Sequence, residues 1–173
     1  LDLAVARTAI QDINQRGKPV GINLSPASIR DSHFVMALRA LINSHHEAAG
    51  QLWLEMPESM AIHDLASFRS FCRELQPLGC RIGLEHVGGE FKRIADLHDL
   101  GLAYLKIDVA LVRGVDRSPE QQTILRGMAT LCHSLGILAI AEGVESLEES
   151  RVLFELGMDG VTGPGIRQND RPA

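Results

Sequence analysis

Six short apolar runs, each ending on a polar or charged residue, dominate this sequence. Such runs are typical of buried strands, and each precedes a loop and then a segment with helical character. The runs are Val20–Asn23, Leu52–Glu55, Ile82–Glu85, Tyr104–Asp108, Leu138–Glu142 and Gly160–Thr162. In α/β proteins the carboxyl ends of parallel strands meet on one face, and that face carries the ligand site. The pattern therefore predicts a site as well as a fold.

The segments between the runs carry the start and stop signals of helices. The chain opens with apolar residues at helical spacing that end at Gly17. Ser118-Pro119 predicts a later helix start, and Ser146-Leu147-Glu148-Glu149 has the form of a capping box. Apolar residues between Phe91 and Leu100 predict an amphipathic helix after the third strand. This β/α alternation indicates a parallel sheet with right-handed crossovers.

The number of strands leaves two architectures open. A closed barrel has eight strands and typically about 250 residues, whereas this chain has 173 residues and six candidate strands. Either the sheet is open, or two further βα units lie upstream of Leu1.

Composition excludes several classes of protein. A net charge of -5 argues against binding to nucleic acid polymers, which requires a clustered basic surface. Cys72, Cys80 and Cys132 have neither metal-finger nor CxxC spacing, and an odd number of cysteines suits a reducing compartment. No apolar run approaches the roughly 20 residues that span a bilayer, and no signal peptide is recognisable. These features predict a soluble, cytoplasmic piece.

Four groups of polar residues stand at predicted strand ends. Each group alone has a structural interpretation, such as an ion pair within a strand or a carboxylate at a helix start. The groups are Asn23 with Ser25, Glu55 with Glu58, Lys106 with Asp108, and Glu142 with Glu145. Their order along the chain is more informative than any one of them.

In this order the groups resemble the EAL domain, a barrel that binds cyclic di-GMP and in many members hydrolyses it. The matching segments are Gly21-Ile22-Asn23-Leu24-Ser25, Leu54-Glu55-Met56-Pro57-Glu58-Ser59, Leu105-Lys106-Ile107-Asp108 and Ile140-Ala141-Glu142-Gly143-Val144-Glu145-Ser146. The resemblance implies a TIM-like (β/α)8 barrel, here N-terminally incomplete with about six βα units. The Glu-Ala-Leu signature lies on an early strand in the family and is absent here. Residues 1–166 are therefore expected to be the C-terminal part of the domain, and residues 167–173 a tail.

The resemblance also implies roles for individual residues. Active members hydrolyse a phosphodiester with two divalent ions that activate water and stabilise charge on the phosphate. Asn23, Glu55 and Glu142 fall on metal-ligand positions of the family. Lys106 falls on the catalytic lysine and Asp108 on the strand-end aspartate.

The segment after the third strand departs from the family. Active members carry Asp-Asp-Phe-Gly-Thr-Gly-Tyr-Ser, whereas this chain reads Glu85-His86-Val87-Gly88-Gly89-Glu90-Phe91-Lys92. Glu85 is one methylene longer than aspartate, in a site whose ions lie only about 4 Å apart. His86 offers imidazole in place of oxygen, which suits Mg²⁺ poorly. Thr162-Gly163 replaces the family's Gln-Gly pair. These changes predict that the metal pair is lost or bound very weakly.

Retained polar residues together with a lost metal site predict a receptor for cyclic di-GMP in bacterial second-messenger signalling, of the kind that controls biofilm formation and adhesion. No metal or other cofactor is expected, and Lys106, Glu55 and Glu85 become vestiges of a catalytic site. Glu142 is then free to accept hydrogen bonds from a guanine edge, with Asp108 as a second candidate. The predicted ligand-binding residues are Asn23, Glu55, Lys106, Asp108, Glu142, Gly143, Glu145 and Gly163.

Within the family, the altered loop is most similar to that of LapD-type receptors. This implies a cytoplasmic domain of an inner-membrane protein, without membrane contact by this fragment. The implied partners are regulatory domains of the same parent protein and a second EAL domain in a homodimer. Two alternatives stay open: an active phosphodiesterase with an atypical Mg²⁺ or Mn²⁺ site, and a protein-interaction domain that binds no nucleotide.

Overall fold

The strands follow one another across a single sheet in the order of the sequence. The computed structural model describes residues 1–166, so the predicted tail, residues 167–173, lies outside the described residues. The strands are β1 (Val20–Asn23), β2 (Leu52–Pro57), β3 (Arg81–Val87), β4 (Tyr104–Ile107), β5 (Leu138–Ala141) and β6 (Gly160–Val161). Pairing is parallel between β1 and β2, between β4 and β5, and between β5 and β6. The predicted α/β class, with six strands rather than eight, is confirmed.

Helices fill the connections between the strands. They are α1 (Asp2–Arg16), α2 (Pro26–Arg30), α3 (Ser32–Asn43), α4 (His46–Ala49), α5 (Glu58–His63), α6 (Leu65–Leu75), α7 (Val109–Val112), α8 (Pro119–Ser134) and α9 (Leu147–Glu155). Three short 3₁₀ helices span Gln76–Leu78, Phe91–Leu97 and Val115–Arg117. In residues 1–166 no helix combines the length and the apolar character that crossing a bilayer requires.

Helix termini follow the predicted signals. Gly17 ends α1 in the left-handed conformation with φ 64°. Ser118 caps α8 by accepting a hydrogen bond from the Gln121 N–H, and Pro119 occupies the first turn. Ser146 caps α9 by accepting from the Glu149 N–H. Short polar side chains thus satisfy N–H groups that helix geometry leaves without partners.

The predicted amphipathic α-helix after β3 is wrong, because Phe91–Leu97 forms a 3₁₀ helix. The reason is visible in the spacing: Phe91, Ile94, Leu97 and Leu100 recur every third residue. A 3₁₀ helix has three residues per turn, so this spacing puts Phe91, Ile94 and Leu97 on one face, whereas an α-helix needs a period of 3.6. Ile94 and Leu97 are buried accordingly.

The chain divides into two compact units. The first comprises Leu1–Leu84 with Lys92–Leu102, and its core contains Phe68 and Phe71, both fully buried. Trp53 of β2 lies under the guanidinium of Arg81, 5.3 Å from the ring centroid.

Among the described residues, the second unit comprises Glu85–Phe91 and residues 103–166. Tyr104, Leu125, Val144 and Leu153 are fully buried there. They come from β4, α8, the segment after β5 and α9 respectively, so the core of this unit is built from both strands and helices.

Three free thiols are buried in these cores. Burial raises the pKa of Cys72 to about 12 and the pKa of Cys80 to about 11. Burial likewise raises the pKa of Cys132 to about 11. The thiols are therefore protonated at neutral pH and behave as small apolar groups.

Candidate ligand site

Two predicted site residues, Asn23 and Glu55, lie on neighbouring strands of the first unit: Asn23 ends β1, whereas β2 continues for two residues beyond Glu55. They are register partners in the parallel pair of β1 and β2. Asn23 is exposed, whereas Glu55 is buried. The Glu55 carboxylate lies over Gly21, where a Cβ would stand 2.8 Å from Oε1. Glycine in β1 therefore makes room for this carboxylate.

The predicted residues of the second unit gather around the end of β3. β4 ends at Ile107 and β5 at Ala141, so Asp108 and Glu142 are the first residues after their strands. The Asp108 N–H donates to the Val87 carbonyl at 3.0 Å, and the Glu142 N–H donates to the Ile107 carbonyl at 3.0 Å. Backbone pairing thus fixes both residues at the strand ends.

His86 adopts an unusual backbone conformation at this point. Its φ is 53°, and within residues 1–166 every other residue with positive φ is a glycine. For a residue with a Cβ, this conformation costs about 1 kcal/mol. Glu85 beside it is buried, while 60% of the His86 side chain is exposed. Strain of this kind often marks a functional site.

The His86 imidazole lies among three carboxylates. Its Nδ1 is 3.4 Å from Asp108 Oδ2 and 3.7 Å from Glu142 Oε2, and its Nε2 is 4.0 Å from Glu85 Oε1. The His86 backbone N–H also donates to Glu142 Oε2 at 3.4 Å. The structure therefore brings Glu85, Asp108 and Glu142 together, as the convergence of strand ends predicts.

The surroundings of Glu142 disfavour the ionisation of its carboxyl group. Burial raises its pKa, and the charge of Glu85 adds to the effect. The Lys106 ammonium and the His86 backbone N–H act in the opposite direction without cancelling it. A carboxylate in this state gains from any hydrogen-bond donor that a ligand brings.

Asp108 and Glu145 have structural partners of their own. Asp108 caps α7, with Oδ1 accepting from the Ala110 N–H at 2.8 Å, and only Oδ2 faces His86. Glu145 pairs with Arg113, whose Nη2 is 2.6 Å from its Oε1, and both side chains are largely exposed. Of the two, Asp108 is the one that the structure brings to His86.

Backbone packing explains the two glycines predicted for the site. At Gly143 the φ is 72°, and a Cβ would overlap the side chain of Val109. At Gly163 a Cβ would overlap the backbone N and O of Val144. Val144 is held by its N–H, which donates to the Thr162 carbonyl at 3.0 Å. Both glycines let neighbouring chain segments approach closely.

Comparison with known proteins identifies the family. The family model described as "EAL domain" matches residues 1–168. The chain belongs to the EAL domain family. Among curated relatives, the cyclic di-GMP phosphodiesterase PdeF of Escherichia coli is 29% identical over 142 residues, which cover 82% of this EAL domain chain and 19% of PdeF. The chain spans about a fifth of the length of the curated relatives it matches.

Solved structures show the same fold. BlrP1 of Klebsiella pneumoniae, solved with calcium and cyclic di-GMP, is 27% identical with a TM-score of 0.81, covering 94% of this chain and 42% of that one. LapD of Vibrio cholerae, solved as an S helix-GGDEF-EAL chain, is 24% identical with a TM-score of 0.81, covering 90% and 38%. The EAL fold predicted from the motifs is therefore confirmed.

The sequence did not predict that Glu149 connects two loops near the site of this EAL domain. Its carboxylate accepts hydrogen bonds from the Gly114 N–H at 2.7 Å and the Glu145 N–H at 2.8 Å. The capping-box motif marked Glu149 as a helix-start residue but gave no signal for Gly114, 35 positions away. Only the folded chain brings these groups together.

Proposed function

We propose that this EAL domain binds cyclic di-GMP without hydrolysing it and acts as a receptor. The observation that carries the proposal is the His86 imidazole, which stands 3.4 Å from Asp108 and 3.7 Å from Glu142. It occupies the space between two carboxylates at the end of β3. In this proposal the site keeps the carboxylates of Asp108 and Glu142, but the His86 side chain takes the place of the metal-binding centre.

The donor set of the second unit does not fit a pair of hard divalent cations. Mg²⁺ requires near-octahedral oxygen ligands, whereas the His86 imidazole lies among these carboxylates and offers nitrogen atoms. One oxygen of Asp108 is already used by the Ala110 N–H. In residues 1–166 no three His, Cys, Asp or Glu side chains are arranged to hold a metal ion.

The same residues suit a guanine nucleotide. Glu142 can accept from the N1–H and N2–H₂ groups of guanine with both oxygens, a strong charge-assisted geometry. The Lys106 ammonium acts on Glu142 and supplies positive charge near a phosphate. The relatives support this ligand, since PdeF is a cyclic di-GMP phosphodiesterase and BlrP1 was solved with cyclic di-GMP.

An active phosphodiesterase is the second candidate. The likeness to PdeF favours it, as do the retained residues Asn23, Glu55, Lys106 and Glu142 at the family's functional positions. In that case Mg²⁺ or Mn²⁺ would bind with Glu85 or His86 as an atypical ligand. A domain that binds no nucleotide and serves only as a protein-interaction surface is the third outcome of the test.

The test measures binding and hydrolysis separately on the full-length protein. Calorimetry with cyclic di-GMP and a metal chelator should show binding. Incubation with Mg²⁺ or Mn²⁺ should leave the cyclic nucleotide intact, because the metal pair does not assemble. Linear dinucleotide above background would overturn the receptor proposal, and the absence of binding would favour the interaction domain.

A double substitution provides a matched comparison. Glu85→Asp with His86→Asp restores the two aspartates of active members and removes the ring between Asp108 and Glu142. We expect Mn²⁺ binding to strengthen at least tenfold in calorimetry. Equal Mn²⁺ affinity in both proteins would contradict the role given to His86.

The parent protein is proposed to be a LapD-type receptor of the inner membrane, with this EAL domain in the cytoplasm. The fold similarity to LapD of Vibrio cholerae is compatible with this assignment. Pairing of two EAL domains and contact with regulatory domains of the same protein belong to the same proposal. Light scattering of the full-length protein with and without nucleotide measures the pairing.

A further inference from the structure

A buried carboxylate joins the two loops that present Asp108 and Glu142. The first loop runs from Asp108 through α7 to Gly114, and the second from Glu142 to Ser146. We infer that Glu149 is a positioning residue that holds these loops at the spacing needed for ligand binding. The inference rests on the proposed cyclic di-GMP site and assigns a determinant of its geometry.

Each oxygen of Glu149 holds one loop. Oε1 accepts from the Gly114 N–H at 2.7 Å, and Oε2 accepts from the Glu145 N–H at 2.8 Å. The Glu149 backbone N–H in turn donates to Ser146 Oγ at 3.1 Å, which fixes the start of α9. The carboxylate therefore links both loops to one helix end.

The environment of Glu149 favours its charged form. The residue is 4% exposed, and burial by itself raises the pKa of the carboxyl. The backbone N–H groups of Gly114, Glu145 and Ser146, with the charge of Arg113, outweigh burial and hold the pKa below its usual range. Hydrogen bonds to a charged acceptor are stronger than neutral ones, so this link is firm at neutral pH.

The two backbone groups that Glu149 holds lie close in sequence to Asp108 and Glu142. Gly114 follows Asp108 by six residues, and Glu145 follows Glu142 by three. Two further contacts join the same loops: the ion pair of Arg113 with Glu145, and the packing of Val109 against Gly143. A shift of either loop therefore moves a carboxylate that faces His86.

A general helix-start role does not account for Glu149. Negative charge in the first turn stabilises a helix through its dipole, and the neighbouring Glu148 supplies such a charge from an exposed position. The contact with Gly114, on another loop, is what distinguishes Glu149. Glu148 is for that reason the matched control.

The test compares Glu149→Gln with Glu148→Gln in the full-length protein. Glutamine keeps the shape but has one acceptor oxygen and an NH₂ group that faces an N–H donor. We expect Glu149→Gln to weaken cyclic di-GMP binding at least fivefold in calorimetry and Glu148→Gln to leave it unchanged. Equal affinity of Glu149→Gln and the unmodified protein would overturn the inference.

Two more measurements separate positioning from stability alone. Val152→Ala shortens a half-buried side chain on α9 and leaves the Glu149 carboxylate in place. It should lower the stability of the protein but keep the affinity for cyclic di-GMP at a temperature where both variants are folded. A fivefold loss in Val152→Ala would overturn the positioning role. Hydrogen exchange of the His86 amide, which donates to Glu142, should accelerate in Glu149→Gln.

The exchange measurement also separates this inference from the proposed function. If the unmodified protein binds no cyclic di-GMP, the receptor proposal fails while the His86 amide still reports on the position of Glu142. Faster exchange in Glu149→Gln would then support the link between the loops, and unchanged exchange would overturn it.

Discussion

Replacing Gly163 with alanine should destabilise the protein by about 3 kcal/mol or more, the range of severe backbone and overpacking defects. The new Cβ would overlap the backbone N and O of Val144. Backbone atoms cannot rotate away as a side chain does, and the Thr162 carbonyl holds Val144 by a 3.0 Å hydrogen bond. Urea denaturation measures the loss, and the segment after β5 should exchange its amides faster.

Gly127 provides the control for this prediction. It lies within α8, and a Cβ there would have no neighbour within 4 Å. Gly127→Ala should therefore stabilise the protein by about 0.5 to 1 kcal/mol, the usual gain from alanine in a helix. Wild-type stability of Gly163→Ala would show that residues 162–165 do not pack against the segment after β5.

Replacing Glu142 with alanine should weaken cyclic di-GMP binding at least tenfold, or about 1.4 kcal/mol. The substitution removes the acceptor proposed for the guanine edge, on the residue to which the His86 N–H donates. Calorimetry on the full-length protein measures the change, with the exposed Glu148→Ala as control. Unchanged affinity in Glu142→Ala would assign the guanine edge to another residue, such as Asp108.

Glu142→Gln should stabilise the unliganded protein at neutral pH, as substitutions at functional sites often do. Burial raises the pKa of Glu142, so its favourable contribution is present below the unfolded pKa and is lost as the pH rises through the folded value. Neutral glutamine avoids that loss. Its advantage should vanish below about pH 4, and an advantage that persists there would contradict the electrostatic cause.

Much of the fold could be predicted because its signals are local. Apolar runs fixed the positions of all six strands, and Ser118 and Ser146 marked two helix starts. The segment from Phe91 to Leu97 is the exception, because its apolar residues recur every 3.0 residues and form a 3₁₀ helix, whereas the predicted α-helix has 3.6 residues per turn. Most predicted strand ends differ from the observed ones by one or two residues. The reason is that backbone pairing, rather than composition, sets where a strand ends.

The site could be predicted only as a set of residues. Convergence of strand ends anticipated that Glu85, Asp108 and Glu142 lie together, and the structure brings them to His86. The left-handed backbone of His86 had no sequence signal, since it is imposed by the surrounding fold. The partner of Glu149 likewise lies 35 residues away, beyond any local pattern.

The rate at which the buried cysteines are alkylated reports how often the core of each unit opens. Only a thiolate attacks alkylating reagents, and burial raises the pKa of these thiols to about 11 or 12. Reaction at neutral pH therefore has to wait until the surrounding core opens. Cys72 and Cys80 lie in the first unit and Cys132 in the second, so alkylation followed by mass spectrometry would time the opening of each unit separately. A nucleotide that binds at the end of β3 should lower the alkylation rate of Cys132.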